Sequence, residues 1–117
     1  MRINIRDAKR EKHSDESIEY TPIFNNGEFS VSYVYLNPKE EVPLHRHKKT
    51  HHIYFVEKGN ITLIVDGEET VLKEKSFVNI SPGKAHKIVN NDNAEVQFIT
   101  FEVPPDDNDI EMIEDKK

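Results

Sequence analysis

The chain of 117 residues contains no cysteine. Disulfides, thiolate metal sites and cysteine nucleophiles are thereby excluded, and any metal must be held by nitrogen or oxygen donors. No apolar run approaches the length of a membrane span, so no membrane partner is expected. Long basic stripes are also missing and the formal net charge is −6, which sets nucleic acid aside as a partner. The opening residues, MRINIRDAKREKH, alternate apolar and charged side chains without the apolar segment of a signal peptide; a cytoplasmic protein is the expectation. No segment of useful length before the C-terminal tail carries a helical period, and no internal repeat is present.

Glycine is scarce, and its placement is informative. Each of the four glycines sits at a turn signal: Gly27 in NNGE, Gly59 in KGN, Gly67 in DGE and Gly83 in SPGK. Asp66-Gly67, between ITLIV and TVLK, is the strongest hairpin signal, because both central residues of that turn need positive φ. Gly59-Asn60 reads as joining HIYFV to ITLIV in the same manner. Between the turns lie strand-like segments. FSVSYVYL alternates, with Phe29, Val31, Tyr33 and Tyr35 on one face and serines opposite. HHIYFVEK and ITLIVD are apolar on both faces, as strands between two layers are. SFVNI, HKIVN and EVQFITFEV complete the set. The fold class is all-β, with about eight to ten strands in a closed or sandwich arrangement that protects the edges.

With 35% hydrophobic and 32% charged residues, the chain reads as one folded domain with charged ends. Residues 7 to 19 form a charged loop or arm, in which His13 reads as a surface residue. Pro104-Pro105 ends the last strand. In the acidic tail that follows, Ile110, Met112 and Ile113 either pack on the body or leave the tail solvated.

Four of the six histidines fall in eight positions, HRHKKTHH, residues 45–52. Residues two apart on a strand point the same way. His45 and His47 therefore share a face and offer two nitrogen donors to one point, while Arg46 turns away. His51 and His52 are adjacent, so only one can join the pair. His86, after the turn SPGKA, is a fourth donor that a hairpin-rich barrel could return to the same place. Against the ligand reading stand a solvated or pH-sensitive histidine patch and ordinary core histidines.

PLHRHKKTHHIYFVEKG, residues 43–59, resembles the first motif of the cupins, in which H-x-H is followed by a glutamate and then a glycine. His45, His47 and Gly59 match, and His52 stands at the glutamate position. SPGKAHKIVN, residues 81–90, resembles the second motif through Gly83, His86 and Asn90; Ser81 replaces its proline and Lys75 its preceding glycine. The resemblance spans residues 29 to 105. It divides the chain into an N-terminal arm with the first strands (1–28), a cupin barrel (29–105) and an acidic tail (106–117).

The resemblance implies a jelly-roll β-barrel of two facing antiparallel sheets, with His45, His47, His52 and His86 holding one divalent transition metal: iron, manganese, nickel, copper or zinc. Four neutral imidazoles leave such an ion with a net charge of about +2, where a carboxylate would leave about +1. That charge favours anionic, chelating small molecules. In such a barrel His52, Tyr54 and Val56 point inward. Ile53 and Phe55 point outward and need cover, which implies a homodimer. All-histidine cupins resemble dioxygenases, so oxidative chemistry on a small organic acid, diketone or sugar is the leading expectation. A non-catalytic ligand-binding cupin and a sugar isomerase or epimerase are the alternatives. A phosphosugar needs a cationic clamp, which Arg46 does not supply, and a metal-free epimerase needs a His–Asp dyad, for which no inward aspartate is evident. Tyr33, Tyr35, Tyr54, Phe98 and Phe101 are candidates for the pocket wall, most of them as barrel core. Asn79 and Asn90 either orient a ligand or cap turns. Lys48, Lys49, Lys84 and Lys87 read as solvated rim charge.

Overall fold

A computed structural model describes residues 2–12, 17–106 and 108–115; His13 lies outside the described residues. Among the described residues a short 3-10 turn, Ile5–Asp7, precedes eleven strands: β1 (Glu11–Lys12), β2 (Glu19–Asn25), β3 (Ser30–Leu36), β4 (Glu41–Arg46), β5 (His51–Lys58), β6 (Ile61–Val65), β7 (Glu68–Leu72), β8 (Phe77–Ile80), β9 (His86–Val89), β10 (Val96–Val103) and β11 (Glu111–Met112). They form two antiparallel sheets, ordered β1-β2-β3-β10-β5-β8 and β11-β4-β9-β6-β7. This is an all-β jelly roll, with the arm and the tail each adding a two-residue edge strand that alternation cannot reveal.

The turns show what glycine is for. Asp66 (φ 48°) and Gly67 (φ 84°) both adopt positive φ and join β6 to β7 in the expected hairpin. The Gly59-Asn60 link is different. It carries the chain from β5 in one sheet to β6 in the other, so no β5–β6 hairpin exists. Gly59 is nonetheless required twice over. Its φ is 82°, and a Cβ there would lie 2.6 Å from Val96 Cγ1. Lys75 takes φ 68° without being a glycine.

Cross-strand register fixes which side chains face the interior, because directly opposed residues share a face. On β10, Val96, Phe98, Thr100 and Glu102 oppose Leu36, Val34, Ser32 and Ser30 of β3. On its other side, Phe98, Thr100 and Glu102 oppose Val56, Tyr54 and His52 of β5. Each strand thus runs from apolar to polar along one inner face. The apolar half, with Leu36, Val56, Ile61, Leu63, Ile88, Val96 and Phe98, is the packed core. The polar half holds the hydroxyls, Glu102 and the histidines.

The β3 alternation holds, but its faces are the reverse of a simple hydrophobic reading: the serines point inward. Tyr33 and Tyr35 lie on the outer face and are buried there by the N-terminal arm. The Arg10 guanidinium sits 3.5 Å above the Tyr35 ring, and Tyr33 Oη donates to Gln97 Oε1 at 2.9 Å. Burial pushes the Tyr33 hydroxyl up to about 12. Phe101, opposite Val31 and Ile53, is also outward. Of the five aromatic candidates only Tyr54 and Phe98 reach the interior. Period-two alternation defines two faces without saying which is inside, and an interior with a polar half takes the hydroxyl face.

Candidate metal centre

His45 comes from β4, His52 from β5 and His86 from β9, while His47 lies just past the end of β4. Pro43 lacks the N–H of a regular ladder, and the β4–β9 register slips between Val42 and His45. Beyond the slip His45 opposes His86 directly, and their ring centroids are 4.2 Å apart. His52 faces them from the other sheet. All four imidazoles are buried and offer nitrogens within 4.8 Å of one another, close enough to hold one metal ion. His51, one residue away, is exposed on the outer side of β5, as strand parity requires.

Backbone carbonyls fix three of the rings. The Nδ1–H groups of His45, His47 and His86 donate to the carbonyls of Pro43 (2.7 Å), Asp109 (2.9 Å) and Lys84 (3.0 Å). A carbonyl only accepts, so in each ring the proton sits on Nδ1 and Nε2 keeps its lone pair. The Nε2 atoms of His47 and His86 are buried and have no hydrogen-bond partner among the described residues. Two bare lone pairs in the interior are costly unless something accepts them, and a divalent cation is what they fit.

His52 is held differently. Its Nδ1 lies 3.1 Å from Tyr54 Oη, and its Nε2 hydrogen-bonds Thr100 Oγ1. Both partners are hydroxyls, which donate or accept, so neither tautomer is imposed. Glu102 Oε1 stands 4.0 Å from His52 Nε2. Burial lowers His45 and His86, the latter to about 4, and holds His52 well below the ordinary value of 6.5. The neighbouring imidazoles push in the same direction. These rings are therefore neutral at neutral pH, the form that binds metal.

The C-terminal tail builds part of this site. The Asp109 carboxylate accepts from the backbone N–H groups of Lys48, Lys49 and Thr50 at 2.9, 2.8 and 3.0 Å. Those bonds, led by the one from Lys49, stabilise the ionised carboxylate and lower its pKa to about 2. The same residue's backbone carbonyl accepts the hydrogen bond from His47 Nδ1–H. β11 pairs with β4 beside His45, and Arg46 makes a two-pronged ion pair with Glu111, Nε–Oε1 at 2.9 Å. The tail packs through these polar bonds, while Ile110 and Met112 stay exposed. From the second motif, Gly83 N–H donates to the His47 carbonyl at 2.6 Å.

The other polar candidates have structural places. Asn90 is fully buried, donates to the carbonyls of Leu36 and Ala94 and accepts from Asp92 N–H. Asn79, Lys48, Lys49 and Lys84 are exposed. Lys87 is not rim charge. It is buried against Asp115 and Glu41, and its bond to Asp115 raises its pKa. Sequence reasoning missed Thr100, Glu102 and Asp109. The first two follow from continuing the β10 alternation from Phe98, whereas Asp109 carries no sequence signal within an acidic tail.

No described helix is long and apolar enough to cross a membrane. No curated protein matches the sequence significantly. Solved structures do. A predicted oxalate decarboxylase from Thermotoga maritima is 18% identical, with a TM-score of 0.83, covering 90% of this chain and 100% of its own. The polyketide cyclase RemF from Streptomyces resistomycificus is 16% identical, with a TM-score of 0.82, covering 100% of this chain and 87% of its own. An RmlC-like cupin from Shewanella frigidimarina is 17% identical, with a TM-score of 0.79, covering 91% and 92%. At such identities the likeness establishes the fold alone. The cupin domain itself matches residues 32–102, more than half of the sequence, and the chain belongs to the cupin domain family.

Proposed function

We propose that the chain is a metal-dependent cupin in which His45, His47, His52 and His86 hold one divalent transition metal, and that the loaded barrel performs oxidative, dioxygenase-like chemistry on a small organic acid, diketone or sugar. One observation carries this reading: two bare, buried Nε2 atoms within a set of four imidazoles whose nitrogens lie within 4.8 Å of one another. A bound divalent ion supplies Lewis acidity and, if redox-active, electron transfer. The chain's own residues do the rest. Pro43, Lys84 and Asp109 carbonyls orient three rings, Tyr54 and Thr100 steer the fourth, and the apolar half of the barrel keeps water from the site's inner side. Small-molecule chemistry is supported by what the structural neighbours are described as, a predicted oxalate decarboxylase and a polyketide cyclase.

Elemental analysis of freshly purified protein tests the metal. A near-stoichiometric transition metal that disappears in the His45→Ala/His47→Ala protein is expected, and its absence defeats the reading. Oxygen-electrode assays of iron-loaded protein with catechols, diketones and thiols test the chemistry. Metal without oxygen uptake leaves a non-catalytic ligand-binding cupin, and a native zinc site counts against oxidation.

A second reading, proton transfer in a sugar isomerase or epimerase, is favoured by Glu102. An inward carboxylate does stand beside His52, supplied by a glutamate in place of an aspartate. Assembly as a homodimer is supported by the outer face of the six-stranded sheet. There Phe55 stacks on Phe77 at 4.4 Å and Phe77 is 67% exposed. Sedimentation of the native protein and of Phe77→Glu tests this, with a monomeric variant expected.

A further inference from the structure

The C-terminal residues 108–115 are fastened to the parts of the barrel that carry three of the four histidines. The Asp109 carboxylate accepts from the backbone N–H groups of Lys48, Lys49 and Thr50, the residues that follow His47. The Asp109 carbonyl accepts from His47 Nδ1–H itself. Ile113 N–H donates to the carbonyl of Leu44, just before His45, at 3.1 Å. Glu111 pairs with Arg46, between His45 and His47, and Asp115 pairs with Lys87, next to His86.

All of these attachments are polar. Ile110 and Met112 are exposed, and of the segment's apolar side chains only Ile113 is half-buried. A segment held by hydrogen bonds and ion pairs, with little apolar burial, opens locally at well below the cost of unfolding the barrel. Asp109 is its buried point, and it acts on the site in two ways. Its carboxylate sets the course of the chain after His47. Its carbonyl fixes the proton of His47 on Nδ1 and leaves the Nε2 lone pair for an ion. The influence also runs in reverse. With Nε2 engaged by a cation, the ring is a stronger donor at Nδ1, and its bond to the Asp109 carbonyl tightens. Coupling of this kind is reciprocal: the factor that docking of the segment adds to metal affinity is the factor that metal adds to docking.

We infer that residues 108–115 form a strap whose docking and the filling of the metal centre stabilise each other, with Asp109 as the positioning residue that joins them. The inference rests on the metal reading of the four histidines and adds a means of control to it. Whatever draws the strap off the barrel loosens the metal, and loss of metal loosens the strap.

Amide hydrogen exchange, followed by NMR on zinc-loaded and chelator-treated protein, tests this without any need for turnover. The reporter is the Ile113 amide, which belongs to the strap. Zinc is expected to slow its exchange at least about tenfold, the size of effect that the hydrogen-bond partners of metal ligands have on affinity. The Gly59 amide donates to Glu74 Oε1 beyond the far end of β5 from His52, and its exchange is expected to change little. Both comparisons use wild-type protein alone. In Asp109→Ala, calorimetric titration is expected to show zinc binding about tenfold more weakly. At saturating zinc, Ile113 in this variant is expected to exchange as fast as in its chelator-treated form. A merely structural Asp109 would weaken the strap equally with and without zinc, and zinc would still protect Ile113. The inference is overturned by that result, by zinc binding to wild-type protein without slowing Ile113, or by equal slowing at Gly59. Failure of zinc to bind wild-type protein appears in the calorimetry before any exchange is measured. That result overturns the metal reading, and this inference with it.

Discussion

The two halves of the barrel interior are built by the same strands and do opposite things. On β5, Val56 lies in the core and His52 in the site; on β10, Phe98 and Glu102 divide in the same way; on β9, Ile88 and His86 do. In one half every inward group is satisfied by contact. In the other, bare imidazole nitrogens, hydroxyls and a carboxylate are gathered at a cost in desolvation. Stability is concentrated in the first half, and the capacity to bind is concentrated in the second.

The largest test of this division is Phe98→Ala, which should cost about 3–5 kcal/mol in urea unfolding. If the protein refolds, its affinity for metal should be little changed. His47→Ala should do the reverse, with metal affinity by calorimetric titration falling at least about a hundredfold and little change in the urea midpoint of metal-free protein. A His47→Ala protein that keeps its metal would erase the distinction between the halves. Next comes Asp109→Ala, which removes the anchor of residues 48–50. Metal affinity should fall about tenfold although no ligand has been altered.

A smaller effect separates the halves by pH. Unfolded imidazoles take up protons below about 6.5, whereas burial holds His86 at about 4 and lowers His45 and His52. Between those limits the unfolded state binds more protons. Metal-free protein should therefore lose stability as pH falls from 6.5 toward 4, by at most about 1.4 kcal/mol per pH unit for each such histidine. Urea midpoints of chelator-treated protein at neutral and mildly acidic pH give the slope, and His86→Gln should flatten it. The smallest effect lies outside both halves. Lys75→Gly relieves a left-handed residue and should raise stability by about 0.5–1 kcal/mol, with metal affinity unchanged.

Much of the site was legible because it is local. Parity separates His51 from His52, and the spacing to Gly59 carries weight because a side chain there would collide with Val96. The fold class followed from alternation and turns. What was not legible depends on partners distant in sequence. Turn chemistry at Gly59-Asn60 announces a reversal without naming the sheet that receives the next strand. The β3 pattern marks two faces, but only its pairing with β10 shows the serines inside. Asp109 acts on residues some sixty positions earlier, through backbone groups that every residue carries.

The place of β10 sets the order of assembly. It lies between β3 and β5 in the six-stranded sheet, yet it is made after both and after all four histidines. Until it inserts, two long strands keep open edges that invite pairing with other chains. Pairings this remote close slowly. During synthesis, then, the histidines emerge into a half-finished sheet, and the site matures only once β10 is in place. Conditions that delay its insertion should produce aggregates and metal-poor protein together.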